Sequence, residues 1–530
     1  MPRKIRISGR GTWLQILNWR ANYRWRFPVF HRVNTGLKSK GKEEEKRSND
    51  KKETPISRKF LENGATSLAT LLMLGFAGYS YNQYYKQLVL QKIENAFAKG
   101  YSTGELASLG QDILCRDASQ QFRVTRPEQP VIDAIVDGST VGHYHLLFGE
   151  KGTGKTSMLL EAMRKVDGKR VAMLEAHGDL EVFRLRLGKA IDYEFHEDYI
   201  GGLFSIKGPR VTTPLLDIER ALNKLEEVAI KHRSVHEKPL ILMINNIHHF
   251  QEHMDAQNLL TLLQQRAELW SGSGLVTVIF TSDEYRTTEK LRSHATRMQV
   301  LNVQDISKDL AIRSLREYRW RRFQEKVPMD VLNEVYRKVG GRLFFLDQVA
   351  RSEDMLETCD AICEREEKWL LSQCWILGRE MDGGAVDQQK FSAAAMVLAK
   401  TLVDMERDVK DDPDDGCRLP ELPLHKANEL MGRTDYIQEL DRINIITIDS
   451  NAAVKADSIP MQNAFRAVCG AVGFEDRLKA TRTRLKNIAS LKRTRELTLK
   501  DLWGNGRYEV LAKGESARNS TVLSIQKAPQ

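Results

Sequence analysis

The chain of 530 residues is too long for one ordinary domain, and with 41% hydrophobic residues it has the material for more than one core. Its formal net charge of +10 is unevenly spread: residues 1–42 hold eleven Lys and Arg and no Asp or Glu, which leaves −1 for residues 43–530 and excludes a body built as a whole to bind polyanions. Six scattered cysteines without a CxxC pair exclude a disulfide scaffold and fit a reducing or redox-neutral compartment.

Taken from the N-terminus, the basic arm of 1–42 also carries Trp13, Trp19, Tyr23, Trp25 and Phe27. It resembles a mitochondrial presequence, being basic and acid-poor, but it is Ser-poor, with only Ser8 and Ser39. The competing reading is an arm that lies on anionic lipid or RNA. Residues 43–62 form a polar linker. No charged residue occurs from 63 to 85. The apolar part, 65–81, reaches roughly 25 Å as a helix, slightly short of a hydrocarbon core of about 30 Å. Tyr79, Tyr81, Tyr84 and Tyr85 stand at one end like an interfacial aromatic belt. The expectation is one transmembrane helix at 63–85, in contact with membrane lipid, with a buried core helix as the alternative. Arm and span together predict the mitochondrial inner membrane, another intracellular membrane being the alternative, and residues 86–125 become a juxtamembrane helical segment.

Residues 144–148 form a short apolar run that leads into Gly149, Glu150, Lys151, Gly152, Thr153, Gly154, Lys155 and Thr156, a full G-x-x-x-x-G-K-[ST] match. A helical pattern with Met158, Leu159, Leu160 and Met163 follows, so the motif sits between a strand and a helix, as its chemistry requires. Glycines let consecutive N–H groups converge on one phosphate, and the helix N-terminus adds its dipole. Lys155 would neutralise the β- and γ-phosphates of a nucleoside triphosphate, ATP or a related one, and Thr156 would offer its hydroxyl to Mg²⁺. Further apolar runs at 170–174, 240–245, 275–280 and 298–303 alternate with helical stretches such as 215–229 and 258–270. That alternation predicts an α/β fold with a three-layer parallel sheet.

From these motifs the chain resembles the AAA+ and STAND branch of P-loop ATPases, including the origin-recognition and archaeal ATPase groups, over about 126–350. More narrowly it resembles a fungal mitochondrial, membrane-anchored type. The resemblance makes 240–244 the Walker B strand, which normally ends in two acids. Here Asn245 and Asn246 stand there instead; Asn245 can bond a metal-bound water, but neither can act as a carboxylate base. His248 or His249 is the substitute base, or else a helix-start residue. Thr281 and Ser282 fall at the sensor-1 position, with Asp283 and Glu284 following as carboxylates or turn residues. Arg292 and Arg297 are arginine-finger or surface-pair candidates. Residues 306–380 read as a helical lid. In it Gly340-Gly341-Arg342-Leu343 resembles a sensor-2 or GxP stretch without the proline, and Arg342 would touch the γ-phosphate on closure. Arg126-Pro127-Glu128 matches the segment that covers the adenine in that family.

Helical patterns at 390–405, 424–431 and 434–442, and a hairpin signal about Asp449-Ser450-Asn451, resemble a winged-helix domain over 381–473. Its basic residues are offset by acidic ones, which favours protein contact or packing over a DNA groove. Residues 474–497 place Phe474, Leu478, Leu485 and Ile488 on one stripe amid Arg and Lys; lipid, nucleic acid or the domain itself is the partner of that helix. Cys359 and Cys363 at i, i+4 lack a further close ligand for a metal site. Residues 519–530 show no clear role. The sequence thus predicts a membrane-anchored ATP-binding protein that couples nucleotide state to shape or assembly, with homo-oligomers and a protein client as partners. The rival is a nucleotide-stabilised scaffold with little turnover.

Overall fold

The computed structural model describes residues 56–98, 122, 124–195, 213–251, 254–376, 385–408, 418–501, 508–513 and 520–525. The basic arm 1–42, the linker up to 55, residues 99–121, Cys115, Cys417, the acidic loop 409–415 and the end 526–530 lie outside the described residues.

By contacts the chain divides into two units, 1–73 and 74–530. Helix α1 (Ile56–Ala96) contains the expected span. Among the described residues, however, no helix is long and apolar enough to cross a membrane, which corrects the expectation of a transmembrane helix at 63–85. The physical reason is dilution. Gly64, Thr66, Ser67, Thr70, Ser80, Asn82 and Gln83 interrupt Leu68, Leu71, Leu72 and Phe76, and each polar group carries a transfer cost into hydrocarbon. Within the second unit, Ile93, Ala96 and Phe97 at the end of α1 are buried in the main core, so residues predicted to be juxtamembrane are partly a structural brace.

The core is a five-stranded sheet in the order β2 (Val171–Glu175), β3 (Leu240–Asn245), β4 (Val276–Ser282), β1 (Tyr144–Phe148) and β5 (Met298–Asn302). All neighbours are parallel, for example Leu147 opposite Thr281 and Leu301. Strands buried on both faces read as continuous apolar runs rather than alternating ones. β1, β3 and β4 are buried at every residue, whereas the edge strand β5 is partly exposed. Alternate side chains supply two cores: Leu146, Leu242, Ile244 and Phe280 on one face, and Leu147, Ile241, Met243 and Ile279 on the other. The first face is covered by α4 (Leu180–Ala190), α5 (Pro214–Val235) and α6 (Met254–Ser273); the second by α2 (Gln129–Val136) and α3 (Lys155–Lys165). This is a three-layer α/β fold built on a parallel sheet.

Helix α7 (Tyr285–Arg292) follows β4. A helical unit follows β5, made of α8 (Lys308–Phe323), α9 (Met329–Val339), α10 (Leu343–Arg351) and α11 (Met355–Cys374), around its own core of Leu315, Leu332, Val335, Leu346 and Ile362. Asp354 starts α11 by accepting from the amides of Leu356 and Glu357 at 2.8 and 3.1 Å, a side-chain cap.

The C-terminal domain contains α12 (Ala385–Asp408), β6 (Leu422–Pro423), α13 (Leu424–Met431), α14 (Thr434–Arg442), β7 (Ile446–Ile448), β8 (Ala453–Ala456), α15 (Ile459–Cys469) and α16 (Phe474–Asp501). Its strands form a small antiparallel sheet in the order β6-β8-β7, the wing. On α16, Phe474 and Leu478 are buried in this domain's core while Arg477, Lys479, Arg482 and Lys486 are exposed. The first turns of the basic helix therefore spend their apolar stripe on the domain itself. A hairpin of β9 (Tyr508–Lys513) and β10 (Ser520–Ile525) follows, unread in the sequence.

Candidate functional site

The C-terminal ends of β1, β3 and β4 meet at the loop 149–156. Gly154 is left-handed at φ 97° and caps α3, so the chain turns from strand to helix without a Cβ in the way. Gly152 has φ 83°, and a Cβ there would lie 2.8 Å from the Cβ of Phe344. The Phe344 amide donates to the Gly152 carbonyl at 3.1 Å, so α10 starts directly on the loop. Arg126, almost fully buried, donates to the Thr153 carbonyl at 2.6 Å and to the Gln304 carbonyl, and so braces the loop from outside. Its observed place is beside the loop's backbone, a role the sequence did not suggest. Lys155 at the head of α3 donates to the carbonyls of Gly149 and Glu150, both at 2.9 Å, and pairs with Asp283 at 2.8 Å. Thr156 is half-buried in the first turn of the same helix. A helix N-terminus, a glycine loop and an ammonium at one point make a cradle for a polyphosphate.

Asn245, at the end of β3, is fully buried, and neither its side-chain oxygen nor its nitrogen has a hydrogen-bond partner. A buried amide left so carries a cost that a bound water or oxygen ligand would remove. Asn246 is left-handed at φ 57° and, with His249, lines a separate cleft of about 290 Å³ between the ends of β2 and β3. Its backbone N–H donates to the Thr281 hydroxyl at 2.8 Å. Thr281 therefore ties β4 to the residue just past β3, and the group that meets Lys155 is Asp283, just past β4 and one of the two carboxylates expected after the sensor position. The reason is strand order: β4 is the direct neighbour of β1, with Phe148 opposite Ser282, whereas β3 is one strand further away. His248 lies in the field of Asp283, Lys155 and Lys151, and burial pushes its imidazole down to about 4 despite the raising effect of Asp283. At neutral pH that ring is uncharged and a poor proton acceptor.

Arg342 is buried and ties three parts of the protein together. It donates to Asp305 at 2.7 Å, to the Lys151 carbonyl of the loop at 2.8 Å, to the Asp457 carboxylate at 3.2 Å and to the Asp457 carbonyl. Beside it, Lys455 of β8 pairs with Glu150 of the loop at 2.9 Å. Burial alone would raise the Glu150 carboxyl; Arg342 and then Lys455 outweigh it and hold the group below its ordinary value. Burial pushes Asp457 up to about 6 in spite of Arg342. The C-terminal domain also reaches the core elsewhere: Asn302 of β5 donates to Ser450 between the wing strands at 3.2 Å, and the backbone amide of Tyr285, at the start of α7, donates to Asp441 of α14 at 3.1 Å.

Asp305, Lys455 and Asp457 were not visible as site residues in the sequence. They belong to no motif, and the two wing residues lie some three hundred positions beyond the loop. Arg297 stands at the other end of the sheet, where its carbonyl accepts from the Tyr144 amide at 3.2 Å, and Arg292 is exposed at the end of α7.

Residues 372–489 match the family described as fungal AAA protein, C-terminal winged helix domain. Among curated proteins no sequence matches. Solved structures with similarity include a Walker-type ATPase of Pyrococcus abyssi (TM-score 0.42, 12% identity, 65% of this chain and 96% of that one). The Aeropyrum pernix Orc1 protein in complex with DNA aligns with TM-score 0.29 and 13% identity over 67% of this chain and 95% of that one. DnaA bound to AMPPCP and single-stranded DNA aligns with TM-score 0.30 and 10% identity over 68% and 93%.

Proposed function

We propose that this chain is an ATP-binding protein of the AAA+ type whose winged-helix domain changes its contact with the phosphate loop according to nucleotide state. The observation that carries the proposal is the pair of bridges from the wing to the loop, Lys455 to Glu150 and Asp457 to Arg342. A polyphosphate entering the loop competes for the positive charge of Arg342, and whatever it takes from Asp457 is lost to the wing. The donors present suit Mg²⁺ as well: the Thr156 hydroxyl, the unpartnered buried Asn245 amide and the Asp283 carboxylate are hard oxygen ligands or partners for bound water. Bound there, the ion would neutralise phosphate charge.

Hydrogen–deuterium exchange on the full-length chain tests the coupling. ATP with Mg²⁺ should raise exchange in 446–456. Lys455→Glu places like charges together at Glu150 and should raise it without nucleotide, since such a clash costs about 2–4 kcal/mol at a largely buried pair. If ATP leaves exchange in the wing unchanged, the coupling is wrong.

The second reading, a nucleotide-stabilised scaffold with little hydrolysis, is favoured by one observation: neither Asn245 nor Asn246 offers a carboxylate. Tight ATP binding without phosphate release would select it. A protein client, homo-oligomerisation and nucleic-acid contact through 474–497 belong to either reading as proposals. The packing of Phe474 and Leu478 inside the domain makes the exposed basic face the part of that helix open to a polyanion.

We also propose that the protein resides at a mitochondrial membrane. The acid-free basic arm supports the organelle, and the exposed Leu71, Leu72, Met73 and Phe76 of α1 support contact with lipid without a crossing. Cell fractionation should place the protein in mitochondria, released from membranes by alkaline carbonate. Recovery in the cytosol would dismiss the proposal.

A further inference from the structure

Beyond the nucleotide site itself, and resting on the reading of 149–156 as that site, one carboxylate stands out by position. Asp283 is held 2.8 Å from the Lys155 ammonium, and both side chains are shielded from water, with 21% and 7% of their surfaces exposed. At the end of β3 the amide of Asn245 is buried and neutral. The acid therefore sits just past β4, the strand next to the loop strand, and the strand beyond it carries none at its end.

A shielded carboxylate against the lysine that must receive phosphate charge is an electrostatic liability. Lys155 cannot serve Asp283 and a polyphosphate together at full strength, and the released carboxylate would face phosphate oxygens of its own sign. A divalent cation between the two resolves the conflict, because carboxylate and phosphate oxygens are both its preferred ligands.

We propose that Asp283, just past the end of β4, is the carboxylate through which this protein binds nucleotide as its Mg²⁺ complex. Without nucleotide, Asp283 holds Lys155 folded against the carbonyls of Gly149 and Glu150. With Mg–ATP, Lys155 turns to the phosphates and Asp283 to the metal or its bound water. Free ATP, lacking the ion, meets the bare charge and is disfavoured.

The test is titration of the full-length protein with a fluorescent ATP analogue, in Mg²⁺ and in EDTA. Wild type should bind about tenfold or more tightly in Mg²⁺, the scale set by a like-charge contact relieved by a cation. Asp283→Asn should bring the two affinities within about threefold of each other, partly by tightening the EDTA value, since the repulsion is gone. Asn245→Asp combined with Asp283→Asn returns an acid to β3 and should recover the Mg²⁺ preference. Thermal melts of both variants report folding, and the double variant keeps the test informative if the single one is unstable. An unchanged Mg²⁺ preference in Asp283→Asn overturns the proposal, as does a wild type indifferent to Mg²⁺. A wild type that binds no analogue under either condition overturns the nucleotide site as well, and is recognised because Lys155→Ala then changes nothing.

Discussion

Replacing Lys155 with Ala should weaken ATP binding by about 100-fold, because a charge-assisted contact to a polyphosphate in a shielded site contributes roughly 2–3 kcal/mol. The side chain contributes twice in this fold. It bonds the Gly149 and Glu150 carbonyls, and so helps to shape the loop, and it neutralises Asp283. Stability should therefore fall too, by about 1–3 kcal/mol for a largely buried carboxylate left without its partner, discounted because Asp283 keeps some access to water. Isothermal titration and a thermal melt separate the two effects. At one fixed ATP concentration the melting temperature of wild type should rise by clearly more than that of Lys155→Ala, since stabilisation by mass action falls as the dissociation constant grows. Equal ATP stabilisation of both proteins would remove the loop 149–156 as the phosphate site.

Arg342→Ala should destabilise the protein by about 3–5 kcal/mol, since it strips a buried guanidinium from a site that keeps its carboxylates. The loss should also depend on pH in a direction fixed by Asp457. Burial already pushes that carboxyl up to about 6 from an ordinary 3.8, and Arg342 opposes the push. A raised carboxyl binds its proton more tightly in the folded state than in the unfolded one. Its favourable contribution is therefore complete below 3.8 and is lost as pH rises through about 6. Without Arg342 the upward push is unopposed, so the penalty of the variant is largest near pH 8 and shrinks near pH 5, where Asp457 can take a proton. Denaturant melts of both proteins at the two pH values give this difference, and general acid sensitivity cancels between them. Asp457→Asn in the Arg342→Ala background should recover much of the loss. A penalty that grows on acidification would show that Asp457 is not the group left exposed to burial.

Much of the sheet was legible because parallel strands are apolar on both faces and break cleanly at polar residues. The run of 240–245 coincides with β3, and 144–148 with β1. Helices α13 and α14 were equally readable from their periodicity between Pro423, Gly432 and Arg433. Residues 63–85 carry no charge, yet the threonines, glycines and amides among them keep the stretch less apolar than a crossing requires, and absence of charge alone does not reveal that. The site was half legible. The loop is a local motif, but Arg126, Asp305, Lys455 and Asp457 meet it only through the tertiary fold, and no spacing in the chain announces such pairs. Asp283 reads equally as a carboxylate or a turn residue in the sequence, and only the pairing of β4 beside β1 brings it to Lys155.

The contact of Arg342 with Asp457 is dry, and its neighbour Lys455–Glu150 nearly so. Counter-ions weaken charge pairs that lie in solvent, over a distance of about 8 Å at physiological ionic strength, and have little purchase on pairs they cannot approach. The junction between wing and loop should therefore ignore the ordinary swings of cytosolic or organellar salt. It would answer to a multivalent anion delivered into its centre, which makes it a filter for the identity of the ion rather than for the amount of it.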